Sequence, residues 1–209
     1  MKLYSYYRSS AAYRVRIALN YKQIDHQIVA VNLLKKEHKN ADYLAKQPQG
    51  LVPCLEPQDG KYLAQSGAML AYLDKRYPCS KLLPDDEFEA AKIQSFVGII
   101  ACDIYPICNL RILNYLTGEL KVDTEQKLAW YRHWIELGFA ALETMLGHSQ
   151  YCFGDKVSLA DIYLIPQVYN ALRFDVDMSA FEKIKRIYNN CNQLQAFVDA
   201  APENQLDAI

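Results

Sequence analysis

Arg8-Ser9-Ser10 stands between two differently patterned runs. Lys2 to Tyr7 is bounded and β-prone, while Ala11, Val15, Ala18 and Leu19 recur at i, i+4, i+7 and i+8, the spacing of one buried helical face. The serines therefore fall at a strand–turn–helix junction, where free N–H groups carry partial positive charge and hydroxyls add donors aimed at the same point. An anion is stabilised in such a place, and a thiolate suits it. Ser10 is expected to cap the helix. An ordinary helix with a serine cap needs no ligand, and this stretch alone does not separate the two readings.

Other reactive side chains fall into no such arrangement. Cys54, Cys79, Cys102, Cys108, Cys152 and Cys191 are scattered without a C-x-x-C, so reduced thiols are expected. His26, His38, His133 and His148 lie at no metal-ligand spacing from one another or from a cysteine, and no metal is assigned. The 209 residues carry a formal net charge of −1 with no long basic run, which argues against a nucleic-acid partner. No apolar signal core opens the chain and no run approaches the ~20 apolar residues of a membrane span, so a cytoplasmic protein is expected.

The elements that must hold the serines change character near residue 80. Up to Tyr77, strand and helix alternate: Lys2 to Tyr7, helix Ala11 to Asn20, strand His26 to Val31, helix Asn40 to Lys46. Strands Leu51 to Glu56 and Lys61 to Ala64 follow, joined by a turn containing Asp59-Gly60, and then a helix from Ser66 to Tyr77. In order this is βαβαββα, an α/β unit with a mixed sheet, spanning residues 1–79. Prolines at 78 and 84 bound a linker. Residues 85–209 read as an all-helical domain: Glu87 to Thr117, Asp123 to Leu146, Leu159 to Arg173, Ala180 to Asn190 and a shorter piece. Gly118 and Gly147 fall at expected helix ends, Ser158-Leu159-Ala160-Asp161 has the form of a capping box, and the tail from Ala201 is expected to be loosely held.

A thioredoxin-like βαβαββα domain before a helical bundle is the outline of the cytosolic glutathione transferases, and three local stretches carry the resemblance. Gln49-Gly50-Leu51-Val52-Pro53-Cys54 is similar to the family's third-strand entry, which implies a cis Val52–Pro53 bond turning backbone polar groups towards the ligand. Gln65-Ser66 stands where the γ-glutamyl end of glutathione lies in the family. Ser66 is expected to cap the next helix and Gln65 to bond an amino-acid head group. Gly154-Asp155-Lys156-Val157-Ser158-Leu159-Ala160-Asp161-Ile162 resembles the family's capping box and hydrophobic staple. There, Asp161 is expected to be buried and bonded back to the turn, serving folding rather than chemistry.

The match narrows to the zeta class, whose Ser-Ser-Cys-x-Trp-Arg-Val-Arg-Ile-Ala-Leu reads here as Ser9-Ser10-Ala11-Ala12-Tyr13-Arg14-Val15-Arg16-Ile17-Ala18-Leu19. That class includes maleylacetoacetate isomerase, of tyrosine and phenylalanine breakdown, and the bacterial maleylpyruvate isomerase. Ala11 replaces the class's Cys, so no role of that cysteine carries over, and Tyr13 replaces Trp. Cys102-Asp103-Ile104-Tyr105-Pro106-Ile107-Cys108-Asn109-Leu110-Arg111 resembles a bacterial Asp-Ile-His-Pro-x-Asn-Asn-Leu-Arg pattern. Tyr105 replaces its His, which excludes an imidazole acid/base there, and Cys108 replaces an Asn.

The resemblance implies glutathione-dependent cis–trans isomerisation, in which a thiolate adds to a conjugated cis double bond, permits rotation and leaves. Glutathione is then a cofactor, with Ser9, Ser10 and the Ala11 and Ala12 amides serving its thiolate. His38, Gln49, Val52, Pro53, Gln65, Ser66 and Asn109 complete its expected binding set. The dianionic substrate needs cationic partners, and Arg8, Arg111 and Arg173 match the positions, since a guanidinium grips carboxylate with two hydrogen bonds. Arg14 and Arg16 are assigned to structure, and Lys35, Lys36 and Lys39 to a solvated face. A general conjugating transferase or a peroxidase would use the same thiolate without a carboxylate clamp. A glutaredoxin-like reductase lacks its cysteine, because the helix starts Ser-Ser-Ala-Ala. The family also implies a homodimer.

Overall fold

A computed structural model describes residues 1–208; Ile209, the last residue of the expected helical domain, lies outside the described residues. The chain forms two compact units, Met1–Lys81 together with the chain from Asn192 onward, and Leu82–Cys191.

The first unit is built on a four-stranded sheet in the order β2-β1-β3-β4. Its strands are β1 (Lys2–Ser5), β2 (Gln27–Ala30), β3 (Cys54–Gln58) and β4 (Lys61–Ala64), and its helices so far are α1 (Ser10–Tyr21), α2 (Ala41–Leu44) and α3 (Ser66–Arg76). β1 pairs parallel with β2 and antiparallel with β3, which pairs antiparallel with β4. The βαβαββα outline read from the sequence is present, with shorter strands. β1 stops at Ser5 because the chain turns at once, the Ser9 amide donating to the Tyr6 carbonyl at 2.9 Å. β3 starts at Cys54 rather than Leu51, after a cis Val52–Pro53 bond, since proline has no N–H to give a ladder.

Helix α1 is the core of this unit: every residue from Ser10 to Leu19 is buried. That includes Arg14 and Arg16, at 2% and 1% exposure, in line with a structural assignment. Burying a guanidinium is tolerable only when its donors are satisfied. Arg16 gives Nη1 to Ser5 Oγ at 3.0 Å, Nη2 to the Tyr7 carbonyl at 3.0 Å and Nε to the Ala200 carbonyl at 2.9 Å. Lys22, just past α1, is treated alike. Its ammonium meets Asp74 at 2.7 Å and the carbonyls of Tyr77, Cys79 and Ser80 at 2.9, 3.1 and 3.0 Å, tying down the linker.

The end of the chain corrects two expectations. It belongs with the first unit rather than the helical domain, and it is not loose. Asn20 Nδ2 and Tyr13 OH donate to the carbonyls of Ala196 and Phe197, Phe197 and Ala200 are fully buried, and Ala201 and Pro202 are buried too. A last helix (Gln195–Ala200) thus packs along α1. Its apolar side chains and the acceptor that Arg16 needs hold it there.

The second unit is all-helical: α4 (Glu87–Gly98), a π-helical turn (Ile99–Ile104), α5 (Leu110–Gly118), α6 (Thr124–Met145), α7 (Leu159–Arg173) and α8 (Glu182–Cys191). The last helix, at Gln195–Ala200, is then α9. The unbroken helix expected over Glu87 to Thr117 is interrupted at 105–109. Pro106 cannot donate into a helical ladder, and Asn109 restarts it by accepting the Ile112 amide at 3.2 Å. Gly138 on α6 faces the π-helical turn, where a Cβ would run into Ile104.

Candidate functional site

In the first unit, two helix starts define the site. At α1 the cap is Ser9 rather than the expected Ser10: Ser9 is extended (φ −73°, ψ 112°) and its Oγ accepts the Ala12 amide at 3.2 Å. Ser10 is already helical and only 7% exposed. The Tyr13 amide returns to the Ser9 carbonyl at 2.8 Å, which leaves the Ser10 and Ala11 amides outside the intrahelical ladder. No acidic residue lies in this first turn to neutralise it. Arg8, exposed, sits with its guanidinium 4.9 Å from the centre of the Tyr7 ring.

At α3 the cap is Gln65, with φ 68°, and Ser66 is the buried first helical residue rather than the cap. This first turn also lacks an acid. Gln65 Nε2 donates to Gln49 Oε1 at 2.7 Å, which brings those two predicted residues together. Gly50, at φ 58°, approaches the His38 carbonyl so closely that a Cβ would lie 2.8 Å from it, so only glycine closes the His38 segment on the Gln49 loop. Burial, with Lys39 adding to it, holds the His38 imidazole below its ordinary pKa. Tyr43 OH fixes the Leu51 carbonyl at 2.6 Å. Val52 then packs in one apolar cluster with Tyr6 and Tyr7, the residues that lead into Arg8 and Ser9. His38, Gln49, Val52, Pro53, Gln65 and Ser66 thus form one connected set, linked through Val52 to the serine turn.

The second unit holds the remaining predicted residues. Asn109 spends its Oδ1 on capping α5, leaving its amide nitrogen for any ligand. Arg111 is exposed in the first turn of α5. Arg173 closes α7 with its guanidinium 4.5 Å from the Phe174 ring centre, and that ring lies 4.1 Å from Tyr131. Burial pushes the Tyr131 phenol far up, Cys108 adds to this, and Arg173 pulls the other way, so Arg173 charges a mostly apolar neighbourhood. Burial likewise pushes the Cys108 thiol up to about 12, so it is no nucleophile at neutral pH. Among the described residues, Arg8, Arg111 and Arg173 form no ion pair.

Asp161 is fully buried and accepts from the Cys152 and Ser158 amides at 2.9 and 2.8 Å and from Ser158 Oγ at 2.8 Å, closing the box expected there. The described residues contain no metal-binding group of three or more His, Cys, Asp or Glu, and all six cysteines are free. No described helix is long and apolar enough to cross a membrane. Sequence reasoning missed the part of Gly50, for which glycine next to a predicted binding loop was a usable sign. It also missed Asp207, which accepts the Tyr7 amide at 3.1 Å and for which the tail's composition offered none.

Comparison with known proteins bears on this geometry. Residues 3–82 match the family model described as glutathione S-transferase, N-terminal domain, and residues 129–193 match glutathione S-transferase, C-terminal domain. A probable maleylacetoacetate isomerase of Vibrio cholerae is 48% identical over 211 residues, covering 99% of this chain and 97% of its own. The holo structure of a maleyl pyruvate isomerase, a bacterial zeta-class glutathione S-transferase, superposes with a TM-score of 0.97 at 40% identity and covers both chains fully. A maleylacetoacetate isomerase from Methylobacterium extorquens AM1, with bound malonate and glutathione, gives 0.96 at 36% identity, again over 100% of both chains.

Proposed function

The chain belongs to the glutathione S-transferase family, and we propose that it is a zeta-class isomerase converting maleylacetoacetate to fumarylacetoacetate with glutathione as a recycled cofactor. The observation that carries this reading is the serine turn: two hydroxyls and two amides at a helix start with no neutralising acid, beside an arginine without an ion pair. The residues present fit glutathione. α1 and α3 both begin without an acid in the first turn, as α5 and α9 also do, whereas α2, α4, α6, α7 and α8 carry at least one, so the starts of α1 and α3, which hold the serine turn and the Gln65-Ser66 pair, suit an anionic ligand.

Bound glutathione supplies a thiolate that adds reversibly to the double bond. Ser9 and Ser10 with the Ser10 and Ala11 amides hold that sulfur in its charged form, the Ala12 amide expected there being spent on Ser9 Oγ. The α3 start, Gln65 and Ser66 take the γ-glutamyl end, while the backbone at Val52 and Pro53 holds the peptide portion. His38 and Gln49 take the glycine end, and Asn109 Nδ2 completes the set. Arg8, Arg111 and Arg173 bind the substrate's carboxylates and stabilise negative charge that develops next to them.

The related reading, maleylpyruvate as substrate, is favoured by the 0.97 TM-score to a maleyl pyruvate isomerase. Both substrates share the cis-enoic diacid that arginines would grip. On either reading the enzyme works in the cytoplasm as a homodimer, and on the first it serves tyrosine and phenylalanine breakdown. The test follows maleylacetoacetate isomerisation optically, with and without catalytic glutathione, on the wild type and Arg111→Ala. Turnover that requires but does not deplete glutathione, and falls by about two orders of magnitude or more in the variant while glutathione still binds, is expected. Glutathione binding and conjugation of electrophiles without isomerisation would replace the proposal with a general transferase.

A further inference from the structure

Both backbone polar groups of Tyr7 are tied to the far end of the chain, the N–H directly and the carbonyl through Arg16. Its N–H donates to Asp207 Oδ2 at 3.1 Å. Its carbonyl accepts Arg16 Nη2 at 3.0 Å, and the same guanidinium grips the Ala200 carbonyl through Nε at 2.9 Å. Ala208, next to Asp207, packs on the cluster that contains Tyr6, Tyr7 and Val52. Asp207 and Arg8 act in opposite senses on the Tyr6 phenol, which burial and Tyr7 push up. One residue beyond Tyr7 comes Arg8, and one beyond that the cap Ser9. A turn of four residues between strand and helix has few bonds of its own here, the Ser9 amide to the Tyr6 carbonyl being one.

We infer that Asp207, with Arg16, is a positioning residue for the reaction: the C-terminal segment clamps the Tyr7 peptide and so sets where Arg8 and the Ser9 hydroxyl stand relative to the bound thiolate. This rests on the reading of the Ser9 turn as the thiolate site. A displacement of about 1 Å in such donors weakens a charge-stabilising hydrogen bond enough to change rate severalfold. Asp207 touches neither cofactor nor substrate in this account, so its loss must appear through the thiolate, not through a contact of its own.

The test is the pKa of bound glutathione's thiol, read from thiolate absorbance across pH, in the wild type, Ser9→Ala with Ser10→Ala, Asp207→Ala and Asp207→Asn. Thermal melting and the pH profile of kcat/KM accompany it. Asp207→Ala is expected to raise the thiol pKa by about one unit, against the lowering that loss of its charge alone would bring, and to lower kcat/KM about tenfold near neutrality with a melting temperature only a few degrees lower. Asp207→Asn, which keeps an acceptor oxygen, should return the thiol pKa to within about 0.3 unit and kcat/KM to within about twofold of wild type. A serine double variant with a raised thiol pKa beside an unaltered Asp207→Ala overturns the clamp and leaves the site standing. An unaltered thiol pKa in the serine variant removes the site itself, and the clamp with it. Should Asp207→Ala fail to fold, Asp207→Ser, too short to reach the Tyr7 amide, takes its place, and an unchanged thiol pKa there overturns the inference.

Discussion

Helices α1 and α7 both begin at a serine, and the two starts are opposites. At α7, Ser158 and Asp161 close on each other and on Cys152, inside a region where Asp161 has no exposure. At α1, Ser9 makes a single cap bond, no acid follows, and the neighbouring Arg8 is exposed. The same capping chemistry is thus satisfied internally in one place and left available in the other. An end whose donors are all used can only stabilise; an end with donors to spare and no acid in its first turn can also bind. What distinguishes a folding motif from a binding motif here is the presence or absence of one carboxylate in the first turn.

Breaking the closed start should have the largest effect. Asp161→Ala leaves two buried amides and a buried hydroxyl unpaired and is expected to cost about 3–5 kcal/mol, read from urea midpoints, while the protein that stays folded keeps its kcat/KM. Breaking the open start should do the reverse. Ser9→Ala with Ser10→Ala is expected to lower kcat/KM by about 10²–10³ and stability by only about 1 kcal/mol.

Acidity sharpens the contrast further. Burial pushes the Asp161 carboxyl above its ordinary 3.8, against the downward pull of the Cys152 and Ser158 amides. The native state therefore binds that proton more tightly than the unfolded chain. The contribution is full below the unfolded value and is lost as pH rises through the folded one. Asp161→Asn should flatten this part of the stability profile, measured as urea midpoints upward from about pH 4. The smallest expected effect is Ser158→Ala, about 1 kcal/mol by the same denaturation, with no change in activity.

Much of this arrangement was legible in the chain, for reasons that also explain the failures. Local rules located α7 and its box, because Ser158 and Asp161 are three residues apart and meet within one turn. The Asp-Gly hairpin placed β4 from Lys61 to Ala64 as observed. Which serine caps α1 was not legible, since Ser9 and Ser10 are chemically identical and the choice rests on where the Tyr6 carbonyl catches a backbone amide. The break between α4 and α5 is hidden by an apolar periodicity that runs on through Pro106, and the π-helical turn before it packs Ile104 against Gly138, a residue of another helix. The docking of α9 on α1 and the reach of Asp207 to Tyr7 join residues 184 and 200 positions apart. No local pattern encodes such a pairing, which follows from buried Arg16 needing an acceptor and Phe197 needing cover.

The grouping of the chain's two ends has a consequence for how the protein is made. Residues 82–191 are continuous and contain their own packing partners, whereas the sheet unit lacks α9 until residues 195–200 have been made. At about 5–20 residues per second, the buried face of α1 waits roughly ten seconds or more for its partner. During synthesis the sheet unit is therefore begun first and yet sealed only after the whole helical unit has been made.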